Sequence, residues 1–304
     1  MQASLALSRG TLFVGVHAKT AHVHSFDLGG RPLGTSFSFR DAGAGRSAVA
    51  GLALDDDRTL WIADTPAGRV RQFSLFGREV GGLGAPSERG VEVAPLLPGL
   101  VVRPVDVEVQ GNRDQGWLAI ACAGEHRHAV QLFDLDFSYR ASCAALGDPQ
   151  RAFRGVCRLA AEGERLYVAE ALARNVQVFR AGEFLFAFQL TTRTGERLEP
   201  SALAPLADGR IVVGCRAPHS VLMLVDGAGR PLRVLAQEGL EEGQVLEPSD
   251  VVVERGSDDR QARLFVIDRD GLRVQAFTLE GRCLGAIPFA SAAPATRRKN
   301  KGGR

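Results

Sequence analysis

Six copies of one short unit run along the chain, and their regular spacing limits the possible folds more than any other feature of the sequence. Each copy contains an apolar run that predicts a β-strand, and these runs begin at Leu12, Leu60, Leu118, Leu166, Ile211 and Leu264. A second run of the form V-x-x-F ends 13 to 15 residues after the first begins, with Leu224 in place of Phe in the fifth copy. Such repetition is typical of a chain built from one structural unit.

Each copy contains four predicted strands, named a, b, c and d in chain order. A short apolar strand precedes the run that defines the copy, and a glycine turn leads into the last strand. Four strands in about 50 residues form one blade of a β-propeller, and six blades stacked in a ring bury faces that a single blade leaves exposed. The sequence therefore predicts an all-β fold, a six-bladed β-propeller of four-stranded antiparallel blades, over residues 1–292. The predicted blades span residues 3–39, 48–83, 103–146, 155–190, 200–236 and 248–289.

The order of the strands also predicts how the ring closes. All four strands of the first blade occur before the second blade begins, so no strand needs to be exchanged between the two ends of the propeller. We therefore expect the seam between blades one and six to depend on side-chain packing alone.

The even-numbered copies carry a recognisable motif. The second copy reads GLALDDDRTLWIADTPAGRVRQF, and the sixth contains LFVIDRDGLRVQAF after the linker EGLEEGQVLEP. These copies resemble NHL repeats, in which an Asp ends strand b and R-V-Q-x-F forms strand c. The resemblance covers about residues 3–289 and is specific in copies two, four and six, whereas Val16, Cys122 and Cys215 stand at the Asp position of the other copies.

The resemblance implies a six-bladed propeller and several possible activities. Some NHL propellers bind single-stranded RNA on a basic face. Six-bladed relatives also include lactonases with a channel Ca²⁺ and a zinc lyase, but neither ligand set can be matched residue by residue to this chain. Because one propeller shape serves many functions, the resemblance alone does not assign one.

Charge is unevenly distributed between the propeller and the tail that follows it. The last eight residues carry five basic side chains, and the remainder has 32 basic and 35 acidic residues, a net charge of −3. The propeller is therefore not expected to bind polyanions in general. Residues 293–304 are predicted to be a disordered basic tail that nucleic acid could contact.

Hydropathy and cysteine usage favour a cytoplasmic protein with no membrane span. The longest apolar run, Val93–Val102, contains Pro95 and Pro98 and is shorter than the roughly 20 apolar residues that a spanning helix needs. The amino-terminal sequence lacks the basic region of a secretory signal. Five cysteines at irregular spacing do not predict a disulfide framework.

The inner strands bring acidic residues to the central channel. Aligning strand a of each blade places near one mouth Ser4, Gly51, Asp106, Cys157, Ala202 and Asp250. Blades three and six lie opposite in a six-bladed ring, so Asp106 and Asp250 should face each other, with Glu108 one step deeper. Converging carboxylates can hold a hard cation such as calcium, or share protons as acid and base. A solvated channel without a bound ion is the alternative.

Histidines form a second candidate metal site. All six lie in or beside b–c turns of blades one, three and five. His22 and His24, like His126 and His128, are two residues apart, which places both imidazoles on one side of a strand. Such pairs bind zinc or copper when a third ligand joins them. Because these blades are not adjacent, incidental surface histidines are the alternative.

Two acid–base pairs flank b–c turns and predict a structural role. They are Asp64 with Arg69 in blade two and Asp268 with Arg273 in blade six. A carboxylate that accepts N–H groups of the turn and an Arg fork would fix the turn. On the same face, the segment from Gly81 to Val102 is the longest between blades and predicts either a lip over the channel or a packed cover.

The sequence contains neither a G-x-S-x-G nucleophile motif nor a P-loop. Our leading interpretation is therefore a non-enzymatic recognition or scaffold propeller that binds a protein or peptide on its turn-rich face. One alternative is a metal-dependent hydrolase or lyase with a divalent cation at the channel mouth. The other is single-stranded RNA binding through an Arg-bearing face and the basic tail.

Overall fold

The computed structural model describes residues 3–17, 20–40, 45–84, 97–254, 262–268 and 273–288. These residues form six four-stranded antiparallel sheets arranged as a β-propeller, which confirms the predicted fold. One short 3-10 turn, Ala145–Gly147, is the only helical element in these ranges. None of the described residues forms a helix long and apolar enough to cross a membrane.

The strands of each blade follow one another in chain order from the axis outward. Blade one contains β1 (Ala3–Ser8), β2 (Thr11–His17), β3 (Ala21–Asp27) and β4 (Phe37–Phe39). Blade two contains β5 (Gly51–Leu54), β6 (Thr59–Asp64), β7 (Arg69–Ser74) and β8 (Glu79–Leu83). Blade three contains β9 (Pro104–Gln110), β10 (Trp117–Cys122), β12 (Val130–Asp134) and β13 (Tyr139–Ser142).

The second half of the ring repeats this order. Blade four contains β15 (Val156–Glu162), β16 (Arg165–Glu170), β17 (Asn175–Arg180) and β18 (Glu183–Phe188). Blade five contains β19 (Glu199–Pro205), β20 (Ile211–Ala217), β21 (Val221–Val225) and β22 (Pro231–Gln237). Blade six contains β23 (Pro248–Glu254), β24 (Arg263–Asp268), β25 (Arg273–Thr278) and β26 (Cys283–Pro288). A separate two-stranded sheet pairs β11 (Glu125–His126) with β14 (Phe153–Arg154).

Strand b of each blade is buried on both faces because a neighbouring blade packs on each side. In blade two, Leu60 and Ile62 pack against apolar residues of blade one. Trp61 and Ala63, which point the opposite way, pack against blade three. This two-sided burial explains why strand b reads as a continuous apolar run rather than as an alternation of apolar and polar residues.

Glycines of the c–d turns combine a left-handed backbone with a close approach to the preceding blade. Gly77 has a φ of 80°, and a Cβ there would lie 2.5 Å from the ring of Phe37 in strand d of blade one. Gly229 has a φ of 82°, and its Cβ would lie 2.2 Å from the ring of Phe188 in strand d of blade four. Only glycine satisfies both requirements, so these turns also set the spacing between blades.

The ring closes without exchange of a strand, as the sequence predicts, because β1 to β4 form blade one by themselves. Leu5 and Val14 of blade one pack against Phe265 and Ile267 of blade six. The expectation that this seam depends on side-chain packing alone is wrong. Asp250 Oδ2 accepts hydrogen bonds from Leu5 N at 2.8 Å and Ser4 Oγ at 2.6 Å, because the carboxylate reaches inner-edge groups of the next blade.

Candidate functional site

Strand register places one residue from each inner strand at the same level of the axis. Each pairs with the fourth residue of the apolar run in strand b, and the six residues are Ser4, Gly51, Asp106, Arg158, Ala202 and Asp250. In blade four the residue is Arg158 rather than the expected Cys157. The reason is that the turn between strands a and b is one residue shorter in blade four, where Ala161 pairs with Leu166, than in blade two, where Leu54 pairs with Leu60.

Arg158 joins the two opposed aspartates across the axis. Its Nη1 lies 3.2 Å from Asp106 Oδ1 and 3.5 Å from Asp250 Oδ2. Its Nη2 donates to the carbonyl oxygen of Ser249 at 2.5 Å. The three charged side chains are each at most 8% exposed, so this is a buried triad whose cation comes from the protein itself.

The same residues also connect consecutive blades through backbone amides. Asp106 Oδ2 accepts Leu159 N of blade four at 2.6 Å, just as Asp250 accepts an amide of blade one. Ser4 Oγ, which donates to Asp250, accepts Leu52 N of blade two at 3.0 Å. Ser4, Asp106, Arg158 and Asp250 therefore form a hydrogen-bonded unit, which we name the axial plug.

Glycine at position 51 makes room for the axial plug. A Cβ at Gly51 would lie 2.1 Å from Asp106 Oδ1 and 2.6 Å from its Cα. Any side chain in this inner strand would therefore displace the carboxylate or its backbone. Gly51 therefore allows the carboxylate of Asp106 to reach Arg158.

Two cavities lie on either side of the axial plug. The cavity on the side of the b–c turns, the upper cavity, measures about 210 Å³, and its lining includes Cys157, Arg158, Ser201, Arg216 and Ser249. The lower cavity measures about 500 Å³ and is lined by the far ends of the inner strands, including Arg9, Asp56, Glu108 and Glu254. The plug thus divides the channel into two separate sites.

The electrostatics of the axial plug follow from its burial. Burial raises the pKa of Asp106 to about 7; the charge of Asp250 acts in the same direction, and the charge of Arg158 opposes both. Burial disfavours the cation of Arg158, but Asp106 and Asp250 outweigh this effect and raise its pKa above the usual value. Arg158 therefore stays charged, whereas Asp106 titrates near neutral pH.

Two polar atoms at the floor of the upper cavity lack partners. Arg158 Nε and Ser249 Oγ are buried and make no hydrogen bond. Both residues line the upper cavity, where Arg216 adds a second guanidinium whose Nε donates to Glu199 Oε1 at 2.5 Å. An N–H group and a hydroxyl group of residues that line the cavity therefore have no acceptor among the described residues.

The predicted channel metal site of Asp106, Glu108 and Asp250 stays a prediction. The guanidinium of Arg158 contacts both aspartates, and Glu108 lies in the lower cavity with its Oε1 3.3 Å from Gln110 Nε2. Within the described ranges, no group of three or more His, Cys, Asp or Glu side chains is placed to hold a metal ion. Calcium binding here would require Arg158 to move.

The histidine pairs occupy two separate blades. His22 and His24 lie on β3 with stacked rings 5.8 Å apart, so they share one side of the strand. Burial lowers the pKa of His24, and the nearby His22 acts in the same direction. In blade three, His126 Nε2 lies 3.3 Å from the carbonyl oxygen of Ala123, and His128 Nδ1 lies 2.9 Å from Ser142 Oγ. A zinc or copper site at these histidines stays a prediction.

The predicted turn pairs have different partners in the two blades. Arg273 Nη2 lies 3.1 Å from Asp268 Oδ2, so this pair is present. Asp64 instead makes its salt bridge with Arg71 Nη1 at 3.2 Å and accepts Ala48 N at 3.0 Å. Arg69 pairs with a carboxylate of the outer strand, Glu79 Oε1, at 3.1 Å.

A buried glutamine of strand c, which sequence analysis did not single out, holds the loop that enters blades three, four and six. Gln131, Gln177 and Gln275 are all fully buried. Their Oε1 atoms accept backbone N–H groups from the preceding loop at 2.7, 2.7 and 2.9 Å. Arg71 occupies this position in blade two and bonds to Asp64. The Gln in the V-Q-x-F pattern of strand c is the sequence signal that could have revealed these glutamines. We name Gln131, Gln177 and Gln275 the latch residues.

Three solved structures are similar over most of this chain. A protein of unknown function from Bacteroides caccae is 12% identical, with 92% of this chain and 94% of that chain covered and a TM-score of 0.61. A chain of the nidogen–laminin complex is 15% identical, with 93% and 95% covered and a TM-score of 0.59. Virginiamycin B lyase from Staphylococcus aureus is 9% identical, with 94% and 83% covered and a TM-score of 0.57.

At these identities the likeness shows the propeller fold and nothing about the reaction or partner. No protein-family model and no curated protein matches the chain. Function must therefore be argued from the surfaces and cavities themselves.

Proposed function

We propose that this protein is a recognition module, a propeller of the NHL type that binds a protein or peptide on its upper face. The upper face is formed by the b–c turns and by the loops that enter each blade. A nidogen–laminin chain of the same fold belongs to a protein complex, which supports the proposal by analogy only. A cytoplasmic location remains our prediction.

Exposed leucines on fixed loops of the upper face are the observation that carries this proposal. Leu97, Leu172 and Leu240 are 64%, 70% and 64% exposed. A single exposed leucine is ordinary, but three on the connecting loops of one face give that face apolar anchor points. Apolar side chains of this kind fill pockets on a partner at protein interfaces.

The loops that carry these leucines are anchored to the blades. Gln131 accepts Gly99 N at 2.7 Å and donates to the carbonyl oxygen of Leu100 at 2.8 Å, which fixes the segment that follows Leu97. Arg273 Nη2 donates to the carbonyl oxygen of Glu241 at 2.9 Å, next to Leu240. Loops held before binding lose little conformational entropy on binding, which favours recognition.

The turn that carries Leu172 is held in a similar way. Ala171 N donates to the carbonyl oxygen of Gly155 at 3.0 Å. A Cβ at Gly155 would lie 3.1 Å from the side chain of Leu172, so the leucine rests on the bare backbone of the neighbouring loop. The position of Leu172 is therefore set by backbone contacts on both sides of the turn.

The distribution of arginines argues against RNA binding by the propeller. Ion pairs neutralise part of the arginine charge on the surface, as in Arg31 with Asp27, Arg140 with Asp134, Arg180 with Glu164, Arg210 with Asp208 and Arg230 with Asp226. Such pairs neutralise the charge that a phosphate backbone would need. The basic tail lies outside the described residues.

The proposal can be tested by selecting peptides from a random phage-displayed library on the immobilised protein. Selected peptides are then titrated against wild-type protein and against the variants Leu97→Ser, Leu172→Ser and Leu240→Ser. Leu232→Ser, on outer strand β22 where Leu232 is 54% exposed, is the matched control. We expect at least a tenfold loss of affinity in an upper-face variant and no change in the control. Equal affinities for all four variants would exclude the upper face.

A further inference from the structure

The loop that enters blade six concentrates negative charge beside an exposed leucine of the upper face. Residues 238–247 contain four glutamates and no lysine or arginine. Glu238, Glu241 and Glu242 are exposed and flank Leu240, which is 64% exposed. This segment, which we name the acidic loop, therefore presents carboxylates and an apolar side chain together.

The excess of negative charge distinguishes the acidic loop from the loops that enter the two preceding blades. Those loops, residues 143–155 and 189–198, each contain two arginines and one acidic residue. Among the described residues, His219 is the one basic side chain within ion-pair distance of an exposed carboxylate of the acidic loop, with its Nδ1 3.5 Å from Glu238 Oε2. The described part of the propeller thus supplies no lysine or arginine to balance these carboxylates.

Hydrogen bonds hold the backbone of the acidic loop in a fixed shape. Gln275 Oε1 accepts Gly243 N at 2.9 Å, and Arg273 Nη2 donates to the carbonyl oxygen of Glu241 at 2.9 Å. Within the loop, Gln244 Oε1 accepts Glu241 N at 3.2 Å. Because the backbone is held, the like charges of consecutive glutamates stay close, and an added cation is stabilised there.

The last strand of blade six brings the basic tail to this loop. Strand β26 ends at Pro288, which pairs with Arg273, the same residue whose guanidinium contacts the acidic loop. The chain therefore leaves its last strand about one arginine side chain away from the loop. Five basic residues and no acidic residue follow at positions 297–304. The eight residues between them and Pro288 span at most about 28 Å when extended, which is several times the distance required.

We propose that the basic tail binds the acidic loop of the same molecule and covers Leu240. Leu240 lies between Glu238 and Glu241 in the loop, so a tail that pairs with both glutamates crosses it. Single exposed ion pairs are weak, but several act together here, and attachment to blade six gives the tail a high effective concentration at the loop. The contact depends on charge and not on a partner, so it can exist whether or not the recognition proposal is correct.

The experiment is photo-cross-linking of the full chain with a reagent that carries a succinimidyl ester and a diazirine. The ester acylates lysines, and the basic tail contains two of the three lysines of the chain, Lys299 and Lys301. Illumination then inserts the diazirine carbon into a nearby bond. Trypsin releases the acidic loop within residues 234–255 and a turn of the opposite face within residues 159–165. Per residue, we expect at least about tenfold more insertion into the loop peptide, because tethering concentrates the tail there.

Two full-length variants with the same change in net charge separate charge pairing from chance contact. The test variant combines three substitutions in the acidic loop: Glu238→Gln, Glu241→Gln and Glu242→Gln. The control variant combines three at exposed residues near turns of the opposite face: Glu164→Gln, Glu183→Gln and Glu280→Gln. Insertion into the loop peptide should fall at least about fivefold in the test variant, which keeps the size of the side chains but removes their charge. It should stay unchanged in the control.

Raising the salt concentration from about 20 mM to about 500 mM should reduce insertion in the wild type as much as the test variant does, because salt screens exposed charges. Equal insertion into both peptides, or unchanged insertion in the test variant, would overturn the proposal. So would cross-links that join ¹⁵N-labelled to unlabelled chains in a mixture, because they would place the tail on a second copy. A tail that inserts nowhere in the chain would be available to nucleic acid instead, and this result also overturns the proposal.

Discussion

Even-numbered and odd-numbered blades share one fold, but the acidic residue that accepts hydrogen bonds lies at a different position in the two kinds of blade. In blades two, four and six a buried acid ends strand b, and these residues are Asp64, Glu170 and Asp268. Each accepts a hydrogen bond from a side chain of strand c, donated by Arg71, Gln177 and Gln275. In blades one, three and five the same position is occupied by Val16, Cys122 and Cys215, which are buried and apolar.

The odd-numbered blades place their acid at the opposite face. Asp27 and Asp134 end strand c, and Asp226 directly follows it. Asp27 Oδ1 accepts Gly29 N at 2.9 Å and Arg31 N at 2.8 Å. Even-numbered blades two and six carry hydroxyl residues there, Ser74 and Thr278. The comparison shows that apolar strands define a blade, whereas the polar residue that fixes its turns can lie at either end. It also explains why the NHL-like motif is clear only in alternate copies.

The largest loss of stability is expected from removing the buried acid that ends strand b of an even-numbered blade. Asp64→Ala leaves the guanidinium of Arg71, which is 4% exposed, with only Glu79 as a charged partner. The free energy of unfolding in urea should fall by about 3 kcal/mol, because the variant removes one partner of a buried ion pair and the acceptor of Ala48 N. Cys122→Ala, at the equivalent position of blade three, should lower it by about 1 kcal/mol. Equal losses would contradict the comparison.

Removing a latch residue should have the next largest effect. Gln275→Leu leaves Gly243 N without its acceptor and leaves the carbonyl oxygen of Gln244 with only the longer bond from Arg273 Nη2 at 3.4 Å, so the loop that enters blade six loosens. The free energy of unfolding should fall by about 2 kcal/mol, the cost of one unsatisfied backbone amide and one lost bond to a carbonyl oxygen. Gln237→Leu, an exposed residue of β22, should change it by less than about 0.5 kcal/mol. Urea denaturation of both variants measures the difference.

The axial plug joins both kinds of blade, and its pH dependence is the third test. Because burial raises the pKa of Asp106 from 3.8 to about 7, the folded protein binds this proton more tightly than the unfolded chain does. The stabilising contribution is complete below about pH 4 and disappears as pH rises through 7. Because asparagine does not titrate, the free energy of unfolding of the wild type minus that of Asp106→Asn should fall as pH rises from about 4 through 7. At higher pH the difference should stay constant. A constant difference from pH 4 to 8 would show that Asp106 is ionised throughout.

The smallest effect is expected at the exposed turns of the odd-numbered blades. Asp27→Ala removes two hydrogen bonds to turn amides that water can replace. The free energy of unfolding should fall by about 0.5 kcal/mol, and salt should not change this loss, because the Arg31 side chain is 88% exposed and its ion pair contributes little. A loss as large as that of Asp64→Ala would remove the distinction between the two kinds of turn.

Sequence reasoning predicted the blades because apolar runs at a fixed spacing are a local property of the chain. It placed Asp106 and Asp250 at the axis, where their carboxylates meet. It missed Arg158 because the turn between strands a and b is one residue shorter in blade four than in blades two and five, so a fixed count back from Leu166 ends at Cys157. Ser4 and Asp250 are 246 positions apart, so their hydrogen bond depends on closure of the ring and not on any motif.

The hydrogen bond from Leu5 N of blade one to Asp250 of blade six bears on where along the ring the chain can begin. The same kind of bond joins Asp106 to blade four, so the junction between the last and first sectors is chemically equivalent to an internal one. The chain therefore has no privileged starting sector. A circular permutant that begins in a different connecting loop should assemble the same disc, since the four strands of blade one and the four strands of blade six each come from one continuous stretch of chain.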